Sequence, residues 1–357
     1  MDHVEPELKA SEAAFEAGVV QPLPEEHGAR GARVTLFTLP RSMLGEAGLR
    51  QRIAIMSWLQ LRPRPYILLM GDDPGVGEYA REIGVTWVPD IAKNEYGTPL
   101  LSSCWERAHQ LAPTRTRVFI NTDIVLFDGF TEAVAACELH YKEDFFMSGQ
   151  RTTVRVRPED VPLERPDWLA WLYAKSSDKE LATPDTLDAV DYFAFTSGLL
   201  RDIPPFAIGR YSWDSWILHH LVVTLADTVD ASEVVRIAHL AHQVHDKMTS
   251  RGNSNVLDNP EVQENRRLAG GSTHMGNLQH SWDVLAPCDA ATDDSCHGFS
   301  FKPKQRRWRS PGNKKFVFIN NTTITDRNEA IEAVRREREK YFRAQELKKK
   351  PTATTKN

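Results

Sequence analysis

Residues 117–127 read RVFINTDIVLF. Aromatic and β-branched side chains occupy both alternating sets of positions, the pattern of a strand covered on both faces, as in a parallel sheet flanked by helices. The run reads as one strand with an oddity at its centre. Asn121, Thr122 and Asp123 stand among side chains that would all be buried. A carboxylate in such a place needs a cation or several donors. A hard divalent ion shared by Asp123 and a diphosphate meets that need; so does a strand-end aspartate that caps the following loop.

Working outward, the upstream chain repeats the same unit. Arg33–Leu39 (RVTLFTL) reads as a strand ended by Pro40, and Leu49, Ile53, Met56 and Leu59 space a helix over 45–61. Tyr66–Met70 is a second strand running into GDDPGVG, followed by a short helix at 77–83 and a strand over 85–89. A helix at 99–111 leads back to 117–127. This alternation predicts an α/β fold with a mixed, mainly parallel central sheet and helices on both faces. Ligands in such sheets sit beyond the carboxyl ends of the strands. That directs attention to Thr38–Arg41, Gly71–Asp73 and Asn121–Asp123.

After residue 150 the rhythm changes. Residues 152–188 are rich in proline and charge around DWLAWLY (167–173). A strand returns at 190–196, then GRYSWDSW (209–216), a helix over 214–226 and a histidine-rich stretch at 239–246. No internal repeat is visible.

Composition sets the outer limits. The chain has 357 residues, 41% hydrophobic and 26% charged, ordinary for a globular protein with a full core. No apolar stretch approaches the roughly 20 residues of a membrane span, and MDHVEPELKASEAAFEAG lacks the basic start and apolar centre of a signal peptide. Four scattered cysteines form no CxxC and no disulfide scaffold, which favours a reducing compartment. The net charge of −5 hides an asymmetry: residues 302–357 hold 17 Lys/Arg and 6 Asp/Glu, leaving −16 for residues 1–301.

Three groups could carry chemistry besides Asp123. His239, His242 and His245 recur every three residues, so on neither a helix nor a strand do all three share one face; a structural role competes with metal binding. Asp214 lies between Trp213 and Trp216, the pattern of a general base beside a sugar platform, or of a helix N-cap with two core tryptophans. Asp191, in DYF, is equally two-sided. The absence of GxxxxGK[ST], GxGxxG and GxSxG argues against P-loop NTPases, dinucleotide oxidoreductases and serine hydrolases, and the absence of HExxH against a metalloprotease.

Taken in order, FTLPRS (37–42), QRIAIMSW (51–58), LLMGDDPGV (68–76), NEYGTPLLSS (94–103), NTDIVL (121–126), DYFAF (191–195), IPPFAIGRYSWDSWIL (203–218), VDASEVV (229–235), HQVHD (242–246) and ENRRLAGG (264–271) resemble the GT-A fold, nucleotide-sugar-dependent glycosyltransferases over about residues 33–285. Residues 1–32, rich in Glu, Ala, Pro and Gly, read as a flexible arm, and the resemblance implies a catalytic domain (33–300) with a nucleotide-sugar-binding half (33–130) and an acceptor-binding half (131–300). It implies a donor site from Thr38, Pro40, Arg41, Asp72, Asp73, Asn94, Asn121, Thr122 and Asp123. Asn121-Thr122-Asp123 falls at the family's Asp–x–Asp motif, whose first acid is Asn here. The resemblance further implies Mn²⁺ or Mg²⁺ on Asp123 with His242 or His245, Asp214, Asp191 and Arg210 as catalytic residues, and Trp213, Trp216 and Arg151 near a carbohydrate, glycan or small-molecule acceptor. The family's GRRWD segment stands here as GQRTT (149–153). A sugar-1-phosphate nucleotidyltransferase and a non-catalytic nucleotide-sugar-binding protein are the competing expectations.

The basic extension (301–357) lies outside the resemblance. A helix over 326–349 with Ile331, Val334, Tyr341 and Phe342 on one stripe suits an anionic membrane surface or an acidic partner, or packing on the body. No base-reading motif accompanies it, so no specific nucleic acid is expected. The expected location is cytoplasmic, peripheral to a membrane where the tail binds one.

Overall fold

The computed structural model describes residues 31–241, 256–271, 276–288 and 298–304. In chain order its elements are β1 (Val34–Thr38), α1 (Gly45–Gln60), β2 (Tyr66–Met70), α2 (Val76–Ile83), β3 (Thr86–Val88), α3 (Leu101–Leu111), β4 (Thr116–Ile120), β5 (Ile124–Leu126), α4 (Phe130–His140), β6 (Phe145–Ser148), β7 (Thr152–Val154), α5 (Trp168–Ser177), β8 (Ala182–Pro184), β9 (Tyr192–Thr196), α6 (Trp213–Val223), β10 (Asp227–Asp230), β11 (Ile237–Leu240), α7 (Pro260–Leu268), β12 (Asp283–Pro287) and β13 (Phe299–Pro303).

The main sheet has nine strands in the order β13-β12-β10-β6-β9-β4-β1-β2-β3. Five of its eight pairings are parallel; β9 runs against both neighbours and β13 against β12. The mixed, mainly parallel sheet is the expected fold class. Period-two alternation divides its side chains between two cores. Leu36, Leu69, Val118, Ile120 and Ala194 enter the core that holds α1 and α4. Phe37, Leu68, Phe119, Phe193 and Phe195 enter the core that holds α3 and α6. Helices therefore cover both faces, and the strands are apolar on both sides for that reason.

The stretch 117–127 departs from its sequence reading. It is not one strand. A turn at 121–123, closed by Ile124 N–H to the Asn121 carbonyl (3.1 Å), separates β4 from β5. The chain then leaves the main sheet for a second one, ordered β5-β11-β7-β8. Helix α1 secures the departing strand: Trp58 Nε1 donates to the Ile124 carbonyl (2.8 Å) and the Ser57 hydroxyl accepts from Leu126 N–H (3.0 Å). Apolar periodicity cannot reveal the break, because both pieces are strands.

The sheet continues past residue 300, since β13 pairs with β12 over Asp283–Pro287, and Lys304 Nζ joins the buried Asp230 carboxylate and the Leu278 carbonyl (3.0 Å). Any separate extension begins after that anchor. Cys104 and Cys137 are free and buried. Among the described residues no helix is long and apolar enough to cross a membrane. The N-terminal arm through residue 30 and the helix expected at 326–349 lie outside the described residues.

Candidate functional site

The carboxyl ends of β1 and β4 are adjacent because the two strands pair in parallel. Thr38, 1% exposed at the end of β1, bonds the Ile120 carbonyl (2.6 Å) and the Thr122 hydroxyl (2.7 Å). Two short hydroxyls thus pin the turn that carries Asp123. Beyond Thr38, Pro40 is buried and Arg41 is exposed. The Gln51 side chain holds this loop in shape, accepting from Arg41 N–H (2.8 Å) and donating to the Arg41 and Ser42 carbonyls (3.3 and 3.1 Å). Met43 N–H to the Pro74 carbonyl (2.8 Å) ties it to the turn after β2. In that turn Asp72 pairs with Lys93, and the Asp73 carbonyl accepts from Val76 N–H (3.1 Å) as α2 begins.

The antiparallel pair β4–β9 extends one residue past its register, with Asn121 N–H donating to the Asp191 carbonyl (2.9 Å). Their side chains meet as well: Asn121 Nδ2 lies 2.6 Å from Asp191 Oδ1. Asp191 Oδ2 accepts from Arg151 Nη1 (3.0 Å), and Arg151 Nε reaches Asp185 Oδ2 (2.7 Å), which Thr153 Oγ1 also bonds (2.6 Å). Burial pushes the Asp191 carboxyl above its ordinary value; Arg151 opposes that shift, the charge of Asp123 adds to it and His239 opposes it. Burial alone would lower the Arg151 guanidinium, yet Asp191 and Asp185 hold it above its usual value.

Strand β11 brings His239 to the same place, opposite Ile124 on one side and Thr153 on the other. Its Nε2 lies 3.4 Å from Asp123 Oδ2. Carboxylate oxygen and imidazole nitrogen form a donor pair that Mn²⁺ accepts. No group of three or more His, Cys, Asp and Glu side chains gathers for a metal among the described residues. His242 and His245 lie outside the described residues.

A second cluster lies across the 93–101 and 206–211 segments, which run side by side through Leu101 N–H to the Phe206 carbonyl (2.8 Å) and Ile208 N–H to the Pro99 carbonyl (3.1 Å). Asn94 and Arg210 meet here on Glu261 of α7, at 2.9 and 2.7 Å. Arg41 Nη2 also approaches, 3.6 Å from where a Cβ on Gly209 would stand.

Asp214 occupies the first turn of α6, where an acid complements the helix dipole. It is not the N-cap. That position belongs to Ser212, at φ 94° and with no side-chain cap bond, while Asp214 Oδ1 accepts from Ser215 N–H (2.8 Å). Trp213 and Trp216 correct the sugar-platform expectation. They are 6% and 3% exposed; Trp213 packs edge-on to Phe119 and against Phe193, and Trp216 stacks on His220. Neither offers a ring face to a ligand.

Sequence reasoning missed Gln51, Lys93, Asp185 and Glu261. Each is a polar side chain whose role depends on a segment distant in sequence, and no local spacing marks it. His239 was visible as a histidine, but its pairing with Asp123 depends on the second sheet.

No protein-family model and no curated protein sequence matches the chain. Among solved structures, it is similar to glucosyl-3-phosphoglycerate synthase from Mycobacterium tuberculosis in complex with Mn²⁺, uridine diphosphate and phosphoglyceric acid, at 14% identity over 77% of this chain and 87% of that one, with a TM-score of 0.40. It is also similar to a mannosyltransferase from Pyrobaculum calidifontis in complex with GDP-Man and Mn²⁺, at 13% identity over 75% and 78%, with a TM-score of 0.36. Likeness at this level carries no functional argument.

Proposed function

We propose that the chain is a glycosyltransferase that moves a sugar from a nucleoside-diphosphate sugar to an acceptor hydroxyl with a divalent cation. The observation that supports this reading is the approach of Asp123 and His239 to 3.4 Å at the carboxyl ends of the strands, beside the hydroxyl-pinned loop after β1. Asp123 and His239 would hold the ion, with His242 or His245 as the further histidine the sequence resemblance implies. A bound Mn²⁺ or Mg²⁺ supplies positive charge where the departing diphosphate gathers negative charge.

The chain's own residues do the rest. Thr38, Thr122 and Asn121 fix the backbone that presents Asp123. Pro40 and Arg41, held by Gln51, and the Asp72–Asp73 turn form the side that takes the base and ribose. Asn94 and Arg210 hold the far side of the donor. Asp191 orients Asn121 and Arg151, and Arg151 stands towards the acceptor. Asp214, at the positive end of α6, receives the acceptor proton in an inverting transfer and orients a group in a retaining one. A carbohydrate, glycan or small hydroxylated molecule is the acceptor.

Incubating the full chain with a panel of nucleotide sugars and Mn²⁺ and following nucleotide release by mass spectrometry tests the reading. Release from one donor, abolished by chelator, is expected. No release or transfer from any donor would contradict it.

A further inference from the structure

Helix α7 begins with Asn259, whose Oδ1 accepts from Glu261 and Val262 N–H (2.9 and 3.4 Å), and with Pro260 at its first position. An acid in this turn reads as a solvated partner of the helix dipole. Glu261 is something else: its side chain is 0% exposed. Its two oxygens serve two loops. Oε1 accepts from Asn94 Nδ2 (2.9 Å), and Oε2 accepts from Arg210 Nε and Nη2 (3.0 and 2.7 Å).

Glu261 holds one side chain from each loop. Asn94 Oδ1 accepts from Tyr96 and Thr98 N–H (3.0 and 2.9 Å), so the side chain that reaches Glu261 also shapes 94–98. Arg210 turns one edge to Glu261, while Nη1 reaches the surface beside the Gly209 carbonyl (3.2 Å). One helical turn on, Asn265 clasps Ala207 in both directions (2.8 and 2.9 Å), so the backbone of the second loop is already fastened to α7. Glu261 is therefore not needed to hold that backbone in place. What it adds is the relative placement of the Asn94 amide and the Arg210 guanidinium.

We propose that Glu261 is a positioning residue that sets Asn94 and Arg210 against one another so that both act on one bound nucleoside diphosphate. This rests on the donor-site reading above. The test uses the full chain carrying Glu261→Gln, whose amide keeps the volume but accepts from one loop while presenting N–H to the other. Amide hydrogen exchange over 94–98 should quicken at least tenfold while β1, β4 and the 206–211 backbone, which Asn265 still holds, stay unchanged. The Kd for UDP or GDP in Mn²⁺, measured well below the melting temperature, should rise at least tenfold. Adding Asn94→Ala should weaken it by less than the same change does in wild type, since that amide has already lost its seat on Glu261.

Should Glu261→Gln fail to fold, Glu261→Asp keeps the charge, withdraws it by one methylene and should give both effects. Unchanged exchange over 94–98 overturns the proposal, as does a Kd within twofold of wild type when only the melting temperature has fallen. A wild-type chain that binds neither nucleotide removes the donor reading instead, while the exchange measurement still decides whether Glu261 seats Asn94 and its loop.

Discussion

Asn121→Asp, which would place a second acid in the 121–123 turn, should destabilise this protein, and the geometry sets the size of the effect. Asn121 Nδ2 donates to Asp191 Oδ1 across 2.6 Å, and Asp191 is 4% exposed. An aspartate at 121 would set two carboxylates at that separation. At an effective dielectric of about 20, their repulsion is about 6 kcal/mol. The pair has a cheaper route, which is to keep one proton between them. Holding a proton at pH 7 on a carboxyl whose ordinary value is about 3.9 costs about 4 kcal/mol, which caps the penalty. The variant should therefore lose about 3–4 kcal/mol at pH 7. The proton-bearing carboxyl titrates higher in the folded chain than in the unfolded one, so its contribution is complete below about pH 3.9 and is lost as pH rises. The deficit should thus shrink by about 1.4 kcal/mol for each unit of acidification towards that value. Urea unfolding of both proteins at pH 5, 6, 7 and 8 measures it. Equal stability at pH 7, or a deficit independent of pH, would refute the reasoning.

Other consequences can be checked separately. Asp214→Asn should retain nucleotide and Mn²⁺ binding yet lose transfer by at least a hundredfold in kcat, because an amide cannot take the proton; full activity would remove the base assignment. Trp213→Ala should cost about 3–5 kcal/mol as a core cavity, and Trp213→Phe should leave the acceptor KM unchanged; a raised KM in a well-folded Trp213→Phe would return the ring to the site. Burial lowers the His219 imidazole from 6.5 to about 3, with His280 and His220 acting in the same direction. Its stability contribution is therefore present above pH 6.5 and falls by up to about 1.4 kcal/mol per unit as pH drops towards 3. His219→Gln should flatten that limb in urea titrations at pH 7 and 5, and an unchanged slope would contradict it.

What the amino-acid order makes legible here follows from the range of the forces involved. The alternation of strands and helices from 34 to 120 is a local pattern, and β2 falls on Tyr66–Met70 as its periodicity predicts. The polar triplet inside an apolar run also sets Asp123 apart from its neighbours. Its surroundings are another matter. The turn at 121–123 depends on Asp191, seventy residues away, and on a second sheet assembled from four separate segments. Two tryptophans beside an acid look the same on a helix whether they line a cleft or fill a core; the cluster of Phe119, Phe193 and Phe206 decides for the core. Glu261 looks like any acid at a helix start, and its burial against Asn94 and Arg210 arises from partners 167 and 51 residues distant.

The central claim is that Asp123 belongs to a cation site that holds a donor diphosphate. Calorimetric titration of wild type and Asp123→Ala with UDP and GDP, each in Mn²⁺ and in chelator, tests it most directly. Wild type should bind one nucleotide in Mn²⁺ at least tenfold more tightly than in chelator. Asp123→Ala, with an unchanged melting temperature, should bind equally weakly in both. Nucleotide binding by wild type that ignores the metal, or a full Mn²⁺ effect in Asp123→Ala, would contradict it.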